Sequence, residues 1–234
     1  MIASESLSRA ELRRLLRRRR RSLSRLEQRQ AARALYRRLA QHALFRRARH
    51  IAMYLPNDGE IDPRLLLEEA RRRGKATYLP VLNPWPRTRM AFQRVRAGER
   101  LRGNRFGIAE PTRVPKRQRK PWALDLILLP LVGFDENGGR LGMGGGFYDR
   151  SLAFLQRRKG IHKPRLIGLA HDCQKVDRLA QASWDVPLQA CVTDSGWYGA
   201  TGGCVAREAI SVAAAPKRSP GCHRDVPTDS GCSR

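Results

Sequence analysis

Residues 129–150 read LPLVGFDENGGRLGMGGGFYDR: an apolar run over 124–132 gives way to a polar loop that closes on Gly142, Gly144, Gly145 and Gly146, and Phe147, Tyr148 and Asp149 then open a helix. Glycines let backbone N–H groups approach an anion with no Cβ in the way, and a helix start adds free N–H donors. Arg140 sets a fixed positive charge beside the loop, and Asp149 supplies a hard oxygen suited to Mg²⁺. Together these groups suit a polyphosphate. The spacing is not that of a P-loop, which ends in Gly-Lys-Ser/Thr, nor of a dinucleotide fingerprint, because Phe147 stands where the third glycine belongs. Glycines alone would equally suit a flexible strand-to-helix connection. Arg140, Tyr148 and Asp149 around them favour chemistry.

Such a loop needs a frame. Leu12, Leu15 and Leu16 share one helical face, and Leu26, Leu35, Tyr36 and Leu39 form a second pattern. Ser24 and Glu27 have capping-box spacing, so an N-terminal helical pair is expected, broken near residues 22–24. Residues 51–55 read as a buried strand, Asp62 and Pro63 as a helix start carrying Leu65, Leu66, Leu67 and Ala70 to Gly74, and 75–82 as the next strand. That βαβ unit calls for a parallel sheet. Further on, 90–95 alternates like an edge strand, 104–111 is irregular, 114–120 is a basic linker and 124–131 is a central strand. Residues 147–158 should be helical, 165–170 and 190–193 strands, and 177–182 a short helix or turn. The expected fold is α/β: an open, mostly parallel sheet flanked by helices in a Rossmann-like three-layer arrangement. Ligands gather beyond the carboxyl ends of such strands, where Glu60, the glycine loop and Asp172 would emerge into one crevice. Residues 1–198 form the single domain, and 199–234 read as a disordered low-complexity tail.

With 47 basic against 21 acidic residues the net charge is +26, which puts nucleic acid among the partner classes. The excess is arginine, densest in the N-terminal helices, and lacks the interleaved aromatics of a base-stacking surface. Residues 17–21 are either a solvated basic face or a binding surface for RNA and other polyanions. Cys173, Cys191, Cys204, Cys222 and Cys232 form no metal-spaced pair and read as free thiols, and the five histidines form no metal set. Nothing resembles a signal peptide or a bilayer span, so a cytoplasmic protein with no membrane partner is expected.

RLGMGGGFYDR resembles the signature of the 5-formyltetrahydrofolate cyclo-ligase family, in which RLGxGxGYYD is typical, and the similarity runs from about Ser8 to Trp197. Further blocks lie at 9–13, 54–61, 106–111, 168–174 and 184–193. The resemblance implies cyclisation of 5-formyltetrahydrofolate to 5,10-methenyltetrahydrofolate, dependent on ATP and Mg²⁺, through a phosphorylated formyl group. It places ATP contacts on Arg9, Ala10, Glu11, Leu12 and Arg13, and on Arg140, Leu141, Gly142, Met143, Gly144, Gly145, Gly146, Phe147 and Tyr148, with Arg140 and Tyr148 catalytic. It places folate contacts on Leu55, Glu60 and Met143 to Phe147, and Mg²⁺ on Asp149 and Asp185. Gly145 stands where many members carry lysine and Phe147 where many carry the first tyrosine; Arg140 and Mg²⁺ are expected to compensate. A monomer acting on folates, polyglutamylated forms included, follows from the same resemblance. The competing reading is a basic RNA-associated protein on this fold with lost catalysis, against which the joint presence of Glu60, Arg140, Asp149 and Asp185 weighs.

Overall fold

The computed structural model describes residues 7–157 and 164–199, so the expected tail lies outside the described residues except for Gly199. In chain order the elements are α1 (Arg9–Arg21), α2 (Arg25–Leu39), α3 (Ala43–Arg47), β1 (His50–Ala52), α4 (Arg64–Arg72), β2 (Ala76–Leu82) and β3 (Met90–Arg94). There follow β4 (Leu101–Gly103), β5 (Ala109–Pro111), β6 (Gln118–Arg119), β7 (Leu126–Pro130), β8 (Gly133–Phe134) and β9 (Arg140–Leu141). The chain continues with α5 (Phe147–Leu152), α6 (Phe154–Arg157), β10 (Arg165–Leu169), β11 (Ala190–Val192) and β12 (Trp197–Gly199).

The main sheet runs β12-β11-β10-β7-β1-β2-β3-β6. Strands β11, β10, β7, β1 and β2 are parallel to their neighbours in that run, while β12, β3 and β6 add antiparallel pairs at the two edges. Numbered along the chain, the parallel strands stand 2-1-3-4-5, and the winding reverses between β1 and β7. Strand β7, LILLP, has its four apolar residues before Pro130 all buried, as a central parallel strand covered on both faces requires.

Period-two alternation divides the core into layers. Ile51, Leu126, Leu128, Ile167 and Val192 pack with Leu35, Leu39, Phe45, Leu66 and Ala70 of α2, α3 and α4. Ala52, Ile127, Leu129, Leu166 and Cys191 turn the other way, toward Leu152, Phe154 and Leu155 of α5 and α6. The two N-terminal helices are present, each opened by a capping box, Ser8–Glu11 and Ser24–Glu27, but they serve different surfaces. Helix α2 belongs to a face of the sheet. Helix α1 sets Leu12 and Leu16 on Val132, Leu141, Val176 and Leu179, all in segments beyond the carboxyl ends of the strands.

Several expectations need correction. Residues 104–111 are not wholly irregular, because β5 pairs antiparallel with β4. Strand β3 is not outermost: β6, within the expected linker, pairs on its free side. The expected helix over 147–158 is broken at Ala153, and no helix forms at 177–182, where a short helix or turn was expected; the 3₁₀ helix between β10 and β11 lies at Asp172–Gln174. Hairpin β8–β9 is inserted between the central strand and the glycine loop. Among the described residues no helix is long and apolar enough to cross a membrane.

Candidate active site

A cavity of about 1260 Å³ opens beyond β1 and β7, at the reversal of winding where ligands of open α/β sheets bind. Helix α1 contributes Arg9, Arg13 and Arg17, the loop after β1 contributes Leu55, Asp58 and Glu60, and the glycine loop with α5 forms the facing wall.

In that loop Gly144 has φ +95° and Gly146 φ +60°, left-handed backbone that a side chain would strain. Gly146 opens α5 with no side-chain cap, which leaves the first helical N–H groups to an incoming anion. Helix α5 is six residues long, so its contribution lies in those donors more than in a macrodipole. Arg13 Nε donates to the Gly142 carbonyl at 2.8 Å, which holds α1 against the loop. Arg150, which sequence reasoning missed, lies over the loop from the other side: it donates to the Gly145 carbonyl and, through Nε, to the Thr88 carbonyl at 2.9 Å. Its signal was its place directly after the signature Asp149. A Cβ at Gly145 would meet the Phe147 ring at 2.8 Å, so a bare position 145 and this ring go together. Arg140, from which compensation for a lysine at 145 was expected together with Mg²⁺, lines the cavity, largely buried and paired with Asp149. The guanidiniums in contact with the loop backbone are those of Arg13 and Arg150.

Asp149 Oδ1 also accepts the Val186 N–H at 3.4 Å. Asp185 accepts Arg9 Nη1 at 2.9 Å and the Ala182 N–H at 2.9 Å. Burial would push the Asp185 carboxyl up, but the Arg9 and Ala182 hydrogen bonds hold it below the ordinary carboxylate value. Among the described residues no group of three or more His, Cys, Asp or Glu could hold a metal. Two carboxylates on one cavity wall therefore fit Mg²⁺ delivered on phosphate oxygens rather than an ion caged by protein alone.

At the other end, Glu60 Oε2 accepts the Asn57 N–H at 3.1 Å. Burial pushes the Glu60 carboxyl up to about 7, against the opposing pull of Arg20. Tyr148 is half-buried; burial, and then the Glu60 charge, push its hydroxyl up, so it is a neutral donor at physiological pH. Phe147 packs edge-on against Phe106 of the β4–β5 hairpin at 5.8 Å, with Arg105 over both rings, and closes the cavity with an apolar wall. Met143 stands half-exposed at the loop tip.

Of the residues expected at the site, Arg9, Arg13, Leu55, Glu60, Arg140, Gly142 to Asp149 and Asp185 line this cavity. Ala10, Glu11, Leu12 and Leu141 do not line it: Glu11 caps α1 through Ser8, while Leu12 and Leu141 pack together in the core. Asp172 does not share the crevice, because its Oδ1 accepts Thr193 Oγ1 at 2.9 Å and the Tyr198 hydroxyl at 2.6 Å, anchoring the edge strand β12. Residues 17–21 are not simply a solvated face either. Arg17 Nε at 2.7 Å, Arg20 Nη2 at 2.7 Å and Arg21 converge on the Asp58 carboxylate.

A sequence model of the 5-formyltetrahydrofolate cyclo-ligase family matches residues 5–194. The 5-formyltetrahydrofolate cyclo-ligase of Escherichia coli K12 is 44% identical over 149 residues, 63% of this chain and 79% of that protein. The Haemophilus influenzae protein of the same name is 39% identical over 180 residues, 77% of this chain and 94% of that one. The NMR structure of Aquifex aeolicus 5,10-methenyltetrahydrofolate synthetase is similar at TM-score 0.71 and 28% identity, covering 88% of this chain and 100% of that one. A Mycoplasma pneumoniae 5,10-methenyltetrahydrofolate synthetase is similar at TM-score 0.63 and 25% identity, covering 80% and 99%.

Proposed function

The chain belongs to the 5-formyltetrahydrofolate cyclo-ligase family and is an enzyme of that kind, and we propose that it closes the folate ring by phosphorylating the formyl oxygen with MgATP. The observation that carries this reading is that a glycine loop rimmed by arginines and the half-buried Glu60 face one cavity. One end suits a polyphosphate, and the other suits a ring that presents paired N–H donors to a carboxylate.

The chemistry needs both at once. A formamide oxygen is a poor leaving group, so it first attacks the γ-phosphorus and displaces ADP. N10 then attacks the formyl carbon, the new C–N bond forms, N10 loses its proton, and phosphate departs with the electrons of the old C–O bond. No covalent enzyme step is required, and the protein acts by positioning and by neutralising charge. Arg9 and Arg13 approach the phosphates from α1 and Arg140 from β9. Backbone N–H groups of residues 143–147, with the neutral Tyr148 hydroxyl beside them, stabilise negative charge as it moves between oxygens. Mg²⁺, held by Asp149 and Asp185, would supply further neutralisation of the phosphate oxygens. Both carboxylates already have an arginine, so phosphate and cation can enter together without leaving a charge unpaired. The Phe106–Phe147 pair sets an apolar wall on one side of the cavity in which the activated carbon would lie. The guanidiniums at the mouth, Arg17 and Arg21 included, also suit the carboxylates of polyglutamylated folates.

Labelling decides the order of bonds. With ¹⁸O in the formyl group, the released inorganic phosphate should carry the label; label appearing in water instead would exclude phosphorylation of that oxygen.

A further inference from the structure

Arg20 sits in the middle of an arginine run, yet it is fully buried. Leu12, Leu16 and Arg20 are spaced four apart along α1, so the stripe that buries the two leucines carries the guanidinium in with them. A buried cation persists only where its donors are used and its charge is met. Here Nε donates to the Asp58 carbonyl at 2.8 Å, Nη2 to Asp58 Oδ2 at 2.7 Å and Nη1 to the Leu131 carbonyl at 3.1 Å. Nη1 also lies 3.9 Å from Glu60 Oε1. Asp58 and Glu60 are in the loop that leaves β1, and Leu131 directly follows β7. One side chain therefore fastens together the two chain segments that part at the reversal of winding. The fastened loop is tightly turned, with Asp58 at φ +53° and Gly59 at φ +77°, a conformation that its surroundings must hold.

We propose that Arg20 is a positioning residue of the reaction: it fixes the Glu60 carboxylate, directly and through the Asp58 loop, where the N–H donors of the folate ring meet it. The proposal rests on the reading of Glu60 as the folate-binding carboxylate. The charged and titratable groups facing Glu60 are Arg20 from α1, Tyr54 and Asp58 from the end of β1 and its loop, and Tyr148 from α5. Burial keeps both tyrosines protonated, and Asp58 is already engaged by three arginines. Arg20 is thus the cation that opposes the burial of Glu60 and limits the rise of its carboxyl to about 7.

The test is the pH profile of kcat/KM for 5-formyltetrahydrofolate at saturating ATP, which reports groups of the enzyme before folate binds, in wild type, Glu60→Gln, Arg20→Gln and Arg20→Lys. Wild type should lose folate affinity as pH falls through the Glu60 transition, and Glu60→Gln should flatten that limb. Arg20→Gln should move the limb up by about one pH unit and raise KM for folate about fivefold at neutral pH, with KM for ATP and kcat changed less than about threefold. Arg20→Lys keeps a cation, and it keeps the proposal testable should Arg20→Gln fail to fold: its limb should lie between wild type and Arg20→Gln, or, without Arg20→Gln, measurably above wild type. A flat Glu60→Gln profile with an unmoved limb in the folded Arg20 variants would overturn the role of Arg20. A limb that persists in Glu60→Gln would remove the reading of Glu60 itself, whatever Arg20 does.

Discussion

At the scale of single residues, Asp58 makes the clearest prediction about stability. Burial alone would push its carboxyl up, but hydrogen bonds from Arg17, Arg20 and Arg21 outweigh that and hold it at about 2, below its ordinary 3.8. A folded-state value below the unfolded one means the unfolded chain binds the proton more readily, so the stabilisation is complete above pH 3.8 and is lost as pH falls through about 2. Asp58→Ala removes the carboxylate that hydrogen-bonds buried Arg20, leaving only Glu60 at 3.9 Å as counter-charge, and should lower stability by about 3–5 kcal/mol at pH 7 in denaturant titration. The deficit relative to wild type should shrink in acid. A loss below about 1 kcal/mol would mean that these arginines are as solvated as their run in the sequence suggests. Sequence reasoning brought Arg9, Arg13, Glu60, Arg140, Asp149 and Asp185 to one cavity, but it also carried Ala10, Glu11 and Leu12 there. A motif is contiguous and a helix is not: only residues about one turn apart, such as Arg9 and Arg13, reach the same side. The burial of Arg20 was illegible for a related reason. Five successive arginines look alike until the leucine stripe is placed against a surface.

At the scale of elements, α1 carries most of the account. Its periodicity and the Ser24 break were legible, but not the surface it covers, because packing across the ends of the strands depends on segments more than a hundred residues away. Leu16 is fully buried against those segments, so Leu16→Ala should cost about 2–5 kcal/mol in denaturant titration. Since α1 also carries Arg9, Arg13 and Arg20, the variant should raise KM for ATP and for folate together; a change in stability with both KM values untouched would detach α1 from the site. The long buried strands β2, β7 and β10 were visible as apolar runs. Strands β4, β5, β6, β8, β9 and β12 have two or three residues each, too few to show alternation, and exist because a partner strand offers hydrogen bonds.

At the scale of the molecule, the charge of +26 suggested a polyanion partner, yet much of the N-terminal excess is engaged inside the protein or at its cavity. Arg9 holds Asp185, Arg13 the glycine loop, and Arg17, Arg20 and Arg21 hold Asp58. The parallel βαβ start was legible in the sequence, but the 2-1-3-4-5 order was not, since neighbours in a sheet are chosen by packing between remote segments. That order is what sets the Glu60 loop opposite the glycine loop and makes one cavity of two half-sites. The most direct test of the central claim is the absorbance of 5,10-methenyltetrahydrofolate, followed with the purified chain and 5-formyltetrahydrofolate while ATP and Mg²⁺ are each omitted in turn. The account predicts product only when both are present, with one ADP released per ring closed; ring closure at full rate without ATP, or none with both supplied, would contradict it.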